Sequence, residues 1–260
     1  MGILNLTPDS FSDGGRFLAR DAALSHARQM VSEGAAIIDI GGESTRPGAQ
    51  SVTTEQELER VIPVIEALAG EVPVPISIDT SKPEVMKEAV SAGAGMLNDV
   101  LALRAPGAVA AAAEADVPIC LMHMQGEPRT MQNAPAYSDV VKEVRDFLLE
   151  RREVCIKAGI PHNRILFDPG FGFGKSLQHN LALLKDLPTF VSTGAPILVG
   201  ISRKSMIGSL LGDAPVNERV FGSIAAAVLA VNSGAAIIRA HDVRATVEAL
   251  KVVSAVRSAE

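Results

Sequence analysis

Eight short apolar runs along the chain each finish on, or next to, a residue that can carry charge or form hydrogen bonds. These are Asn5, Asp39, Asp79, Asn98 with Asp99, His123, Asp168, the trio Ser202-Arg203-Lys204, and Arg239 with His241. The carboxylates and the amide from runs two, three, four and six can accept N–H bonds from a nitrogen heterocycle with a guanidine-like edge. Runs seven and eight supply Arg203, Lys204, Arg239 and His241, cations suited to an anion such as phosphate. An acidic half for a heterocycle and a basic half for an anion point to a heterocyclic phosphate ester as ligand. Taken singly, each residue is as readily a structural ion pair or a cap. Eight polar ends in the same relation to eight apolar runs weigh against that reading.

These side chains can meet only if the runs are parallel strands whose C-terminal ends share one mouth. The runs are Gly2–Leu4, Ala36–Ile40, Val74–Ile78, Met96–Val100, Pro118–Met122, Ile165–Phe167, Ile197–Ile201 and Ala236–Ile238. Between them lie segments of helical period, such as Ala22, Ala23, His26, Ala27, Met30, Val31 or Leu58, Val61, Ile62, Ile65, Leu68. Each segment is long enough for one crossover helix. Gly34, Gly70, Gly93, Gly159 and Gly234 stand where a helix exit places a left-handed glycine. The five residues GAAII occur at both 34–38 and 234–238. Near-continuous apolar strands fit a parallel sheet buried on both faces. Eight such units predict an α/β fold, a TIM (β/α)8 barrel occupying 1–260 as a single domain.

Composition narrows the classes. The chain has 260 residues, 47% hydrophobic and 21% charged, which describes a globular protein with a large core. The uncharged stretch 220–236 is interrupted by Ser223, Asn232 and Ser233 and falls short of the apolar run that a bilayer span requires. The N-terminus lacks the basic start and apolar core of a secretory signal, so a cytoplasmic location is expected. Cys120 and Cys155 are too few for a disulfide framework and read as reduced and structural. The net charge is −6, no basic run exceeds two residues and Tyr137 is the only tyrosine, which argues against a nucleic-acid partner. His26, His162 and His179 lack zinc spacing.

Two loops look built for closure. Residues 6–17 hold Pro8, Asp9, Phe11, Asp13, Gly14 and Gly15; residues 41–48, GGESTRPG, hold Thr45, Arg46 and Pro47. Such compositions also make ordinary turns, but both are long for a βα connection and favour a lid. Ser205 stands where it can cap a helix opening at Met206, whose N–H groups would offer an anion site. DPGFGFGK (168–175) lacks the spacing of a P-loop. Met122 reads as a core filler or as a flat apolar floor for a ring, the floor being favoured.

Over essentially its whole length the chain resembles the dihydropteroate synthase family. The matching segments are GILNLTPDSFSDGG (2–15), IDIGGESTRPG (38–48), SIDTSKPEV (77–85), NDV (98–100), LMHMQGEPRTMQ (121–132), DPGFGFGK (168–175), GISRKSMIG (200–208) and IIRAHDV (237–243). The resemblance implies condensation of 6-hydroxymethyl-7,8-dihydropterin diphosphate with p-aminobenzoate, giving 7,8-dihydropteroate and diphosphate, with Mg²⁺ as cofactor, in a homodimer. It implies catalytic roles for Asp79, Lys204, Arg239 and His241. It implies pterin binding by Asp39, Asp79, Asn98, Met122, Asp168 and Lys204, and diphosphate binding by Asn5, Arg239 and His241, with Asn5 on the metal. Phe11, Thr45, Arg46, Pro47, Phe173, Lys204 and Ser205 correspond to the p-aminobenzoate pocket, which sulfonamides should share. Members of the family usually carry residues ahead of the GILN segment, often a hairpin across the barrel floor; here Met1 directly precedes it. The alternative is a pterin-binding methyltransferase-type barrel, which shares the acidic half but has no need of FSDGG, STRPG or SRKS.

Overall fold

The computed structural model describes residues 1–7, 15–44, 51–126 and 130–259, with 15–19 as backbone alone. Six four-residue strands, β1 (Gly2–Asn5), β2 (Ile38–Gly41), β3 (Ile76–Asp79), β4 (Met96–Asp99), β5 (Ile119–Met122) and β6 (Ile165–Asp168), form one parallel sheet in chain order. Two shorter strands, β7 (Leu198–Val199) and β8 (Ile237–Ile238), pair in parallel with each other. Parallel bridges between Phe167 and Ile197 and between Gly2 and Ala240 join the two pieces at both seams. Backbone bonds from Phe167 N to Pro196 O and from Ala240 N to Met1 O, 3.0 Å each, carry the ladder across. The strands therefore close into a ring, the (β/α)8 barrel that the sequence pattern predicts.

Side chains two apart on a strand share a face, and this alternation explains why the runs are apolar yet end polar. Leu4, Ile38, Ile40, Ile76, Ile78, Leu97, Ile119, Leu121, Ile165, Phe167 and Val199 face outward and join the main core beneath the helices. Each fully buried aliphatic side chain of this kind contributes about 1.5–3 kcal/mol. The inward set, Met96, Cys120, Leu166 and Leu198 with Ile237, forms a separate apolar plug. Two residues further along the same strands lie Asn98, Met122, Asp168, Gly200 and Arg239. One apolar layer thus fills the barrel, and the next inward layer is the mouth.

The helices that clothe the sheet are α1 (Gly15–Ser32), α2 (Thr54–Ala69), α3 (Pro83–Ser91), α4 (Ala108–Ala115), α5 (Val140–Lys157), α6 (Leu177–Lys185), α7 (Leu187–Val191), α8 (Ser205–Leu210), α9 (Val220–Asn232) and α10 (Val243–Arg257). Thr53 opens α2 with a reciprocal capping box to Gln56. The expectation of one helix per connection fails twice. Pro188, in the first turn of α7, restarts the chain after α6, and Gly212 with Pro215 separates α8 from α9. Gly34, Gly93, Gly159 and Gly234 leave their helices at φ between 94° and 116°. Gly70 does not: its φ is −91°, so that exit needs no glycine.

Candidate active site

The cleft at the mouth is lined by Ile3, Asp79, Asn98, Val100, Met122, Asp168, Phe173, Gly200, Ser202, Lys204, Arg239 and His241. Strand register builds its acidic side. Asn5, Gly41 and Asp79 stand level across β1, β2 and β3, Asn98 is paired with Asp79, and Met122 is paired with Asp168. The Met122 thioether therefore lies beside one carboxylate and near the amide, an apolar surface between hydrogen-bond acceptors. Asp168 Oδ1 accepts from Gly170 N at 2.7 Å, which fixes the carboxylate at the strand end.

The basic side is less separate than the sequence suggests. Arg239 reaches across the cleft: its Nε donates to Asp39 Oδ2 at 2.6 Å and its Nη2 to Asp79 Oδ2 at 2.8 Å. Asp39 is fully buried one layer below the cleft, where it also accepts from Asn98 Nδ2 at 3.3 Å. It is a support for Arg239 and Asn98 and does not itself line the mouth. Its Oδ1 and the hydroxyl of its register neighbour Ser77 are buried without partners, a destabilising arrangement. Lys204 Nζ donates to Phe171 O and lies 4.4 Å from the centre of the Phe173 ring. The His241 backbone N–H donates to Ser202 Oγ at 3.1 Å, and its ring Nδ1 lies 3.2 Å from the same hydroxyl. Ser202 is a lining residue that the sequence flagged only as one polar strand end among several.

Burial sets the protonation of these groups. It raises the Asp79 carboxyl to about 7, with Asp39, Asp99 and Glu57 adding repulsion and Arg239 opposing. It also raises Asp168, against the pull of Lys204, the Gly170 N–H, Lys175 and Arg239. Burial lowers Lys204 to about 8, although Asp168 and Asp79 hold part of its proton affinity. Arg239 is held more firmly protonated than usual, because Asp39 and Asp79 outweigh its own burial. Asp79 and Lys204 are thus both poised to change charge near neutral pH.

Three residues at the strand ends point elsewhere. Arg203 turns outward, φ +58°, into a two-bond ion pair with Asp242 at 2.9 and 2.5 Å, and so leaves the expected phosphate quadrant. Asp99 accepts from Ser81 Oγ and from the backbone N–H groups of Leu101 (2.8 Å) and Leu103 (2.7 Å), bracing the β4 loop. His123 packs edge-on to Phe147 and bonds Lys175. Ser205 is the first helical residue of α8, and Lys204 is its N-cap, with no side-chain capping bond. The expected Ser205 cap is therefore corrected, since the chain enters the helix one residue earlier. Phe11, Thr45, Arg46 and Pro47 lie outside the described residues. The edges of 45–50 are braced: Lys82 Nζ lies 2.5 Å from both Glu43 and Glu57, Glu43 accepts from Val52 N, and Arg60 donates to Gly42 O.

Among the described residues no three His, Cys, Asp or Glu side chains gather as a metal cluster. Asn5 ends β1 level with Asp79 across the sheet and carries one neutral amide oxygen.

The family model described as pterin binding enzyme matches residues 1–241. The dihydropteroate synthase of Escherichia coli is 56% identical over 260 residues, covering all of this chain and 92% of its own. The chain belongs to the dihydropteroate synthase family. The Yersinia pestis synthase, solved with a sulfonamide drug, is 54% identical with a TM-score of 0.95, covering 100% of this chain and 94% of that one. The synthase of Xanthomonas albilineans was solved with 4-aminobenzoic acid (54% identity, TM-score 0.95, 100% and 93% covered) and with 7,8-dihydropteroate (50%, 0.91, 100% and 94%). Membership gives the cleft's asymmetry a use, since a synthase must hold a flat ring and a charged leaving group in one mouth.

Proposed function

We infer that this cleft joins 6-hydroxymethyl-7,8-dihydropterin diphosphate to p-aminobenzoate, releasing diphosphate and forming 7,8-dihydropteroate, a transferase step of folate biosynthesis. The observation that carries this reading is the set of acceptors Asp79, Asn98 and Asp168 around Met122, with Lys204 and Arg239 on the same cleft. Asp168 and Asp79 accept N–H bonds from the guanidine-like edge of the pterin, and Met122 covers a ring face. Carboxylates held on that edge favour electron release by the ring as positive charge develops on its methylene carbon. Arg239 and His241 receive the departing diphosphate. The arylamine is already neutral at pH 7, so its attack needs no strong general base. Phe173 and Lys204 stand beside the position it would take, and Phe11, Thr45, Arg46, Pro47 and Ser205 complete that pocket.

A lone amide oxygen at Asn5 fits Mg²⁺, which keeps several waters and commonly arrives on substrate phosphates with few protein ligands. Such an ion would supply charge neutralisation to the diphosphate. The decisive experiment is a diphosphate-release assay with both substrates, each omitted in turn. Release that requires both supports the reading; none with both present removes it.

We also propose a cytoplasmic homodimer. Among the described residues no helix is long and apolar enough to cross a membrane. Leu210, Leu211, Val216, Phe221, Leu229, Val252 and Val256 are exposed on and beside α8 to α10, Phe221 by 85%. An apolar face of this extent suits a second copy of the chain. Sedimentation of the wild type and of Phe221→Glu checks it, a monomeric variant being the expected result.

A further inference from the structure

The β6–α6 loop, DPGFGFGK, is wrapped around its own lysine. Lys175 is 3% exposed, and its Nζ lies 2.9 Å from Gly170 O, 3.0 Å from Phe173 O and 3.4 Å from His123 O. His123 Nδ1 completes the cage at 2.9 Å. Every one of these backbone groups is an acceptor only, so the centre calls for an N–H donor, which Lys175 Nζ supplies. His123 can accept there because burial, then Lys175 and Arg104, drive its pKa down to about 2 and keep the ring neutral. Among the described residues no carboxylate bonds Lys175, and burial pulls its pKa well below the usual lysine value against the attraction of Asp168; the backbone carbonyls carry the solvation.

The loop reaches this shape through glycines that nothing else could replace. Gly170, Gly172 and Gly174 have φ of 71°, 81° and 64°. A Cβ on Gly170 would come within 1.8 Å of His123 O, and one on Gly174 within 2.4 Å of Gln125 O. The same inward-turned backbone presents its other groups outward to the cleft: Gly170 N to Asp168, Phe171 O to Lys204 Nζ, and the Phe173 ring to the cleft wall.

We propose that Lys175 is a positioning residue of the pterin site, its buried Nζ gathering the β6–α6 loop so that Asp168, Lys204 and Phe173 are held in register around the cleft. It touches no substrate; it acts through the carbonyls of Gly170 and Phe173. This rests on the pterin reading of the cleft, and the test separates the two.

Binding of 6-hydroxymethylpterin is measured by titration calorimetry for wild type, Lys175→Met, Lys175→Gln and, as a destabilised control remote from the cleft, Leu148→Ala, each well below its own melting temperature. Met keeps the apolar stem and removes every donor, and a misplaced loop should raise Kd about tenfold to a hundredfold. Gln restores two N–H donors and should recover part of that loss. Leu148→Ala should lower Tm and leave Kd within about twofold, as for distant independent sites. Folded Lys175→Met that binds as tightly as wild type overturns the proposal; should that variant fail to fold, unchanged affinity in Lys175→Gln does the same. A wild type that binds no pterin overturns the site reading, and the lysine's role with it.

Discussion

From β1 to β6 the sheet runs without a break, and Asp79, Asn98 and Asp168 lie within the last two residues of four-residue strands. Strands β7 and β8 have two residues each; Lys204 and His241 lie beyond them, whereas Arg239 keeps a backbone bond to Val199 O and adjoins the Gly2–Ala240 bridge. The acidic side of the mouth is therefore positioned mainly by the long backbone ladder, while side-chain bonds place the cationic groups: Arg239 to Asp39 and Asp79, Lys204 to Phe171 O, His241 to Ser202. The difference teaches how the cleft tolerates buried like charges. Its carboxylates cannot move apart, so a mobile guanidinium comes to them. On the function proposed above, a pterin would take over Asp79 and Arg239 would turn to the leaving group.

The comparison breaks most severely at Arg239. Replacing it by Met leaves Asp39 and Asp79 without their counter-charge, and loss of one partner of a buried pair costs about 3–5 kcal/mol. Urea unfolding should show that loss at pH 8. At pH 5 it should be smaller. The folded pKa of Asp79 is already raised to about 7 and rises further without Arg239, so the carboxyl is protonated in the acid state of both proteins. By linkage, a raised folded pKa gives stability that is present at low pH and lost as pH climbs through about 7. An equal loss at both pH values would show that Arg239 is not the neutralising partner.

Asp168→Asn attacks the ladder-held side. An amide presents one donor where the pterin edge also donates, and affinity for the pterin diphosphate should fall by about 2–4 kcal/mol. Unchanged heats of binding would remove Asp168 from recognition. A third effect needs no mutation. If ionised Asp79 accepts pterin N–H groups, affinity should fall up to about tenfold per pH unit below about 7 and weaken again above about 8 as Lys204 discharges. Flat affinity across this range would mean that neither group changes charge on the way to the complex. The smallest effect is expected at Arg203, whose pair with Asp242 is partly exposed. Arg203→Ala should cost under about 1 kcal/mol of stability and leave KM for the pterin diphosphate unaltered. A large rise in KM would return Arg203 to the phosphate quadrant.

The apolar alternation, the glycine exits and the polar strand ends were legible in the sequence because each is a local requirement. A strand buried on both faces is apolar at most positions below the mouth, Asp39 and Ser77 being the exceptions, so Met96 and Asn98, or Leu166 and Asp168, can be told apart by position. Four of the five helix exits were readable for the same reason; Gly70 failed because a helix can also end without a left-handed turn. Lys175 carried only a weak signal, a lysine closing a glycine-rich segment without P-loop spacing, and nothing local marks its burial.

The sequence by itself thus determined the eight-unit α/β barrel, the layer at which chemistry could occur and the residue types available there. Which way those side chains point was decided by tertiary structure. Arg239 and Asp39 are 200 residues apart in the chain, His123 and Lys175 are 52 apart, and Arg203 and Asp242 are 39 apart. Long flexible cations settle on whichever acceptors ring closure brings within reach, and no local pattern records that distance.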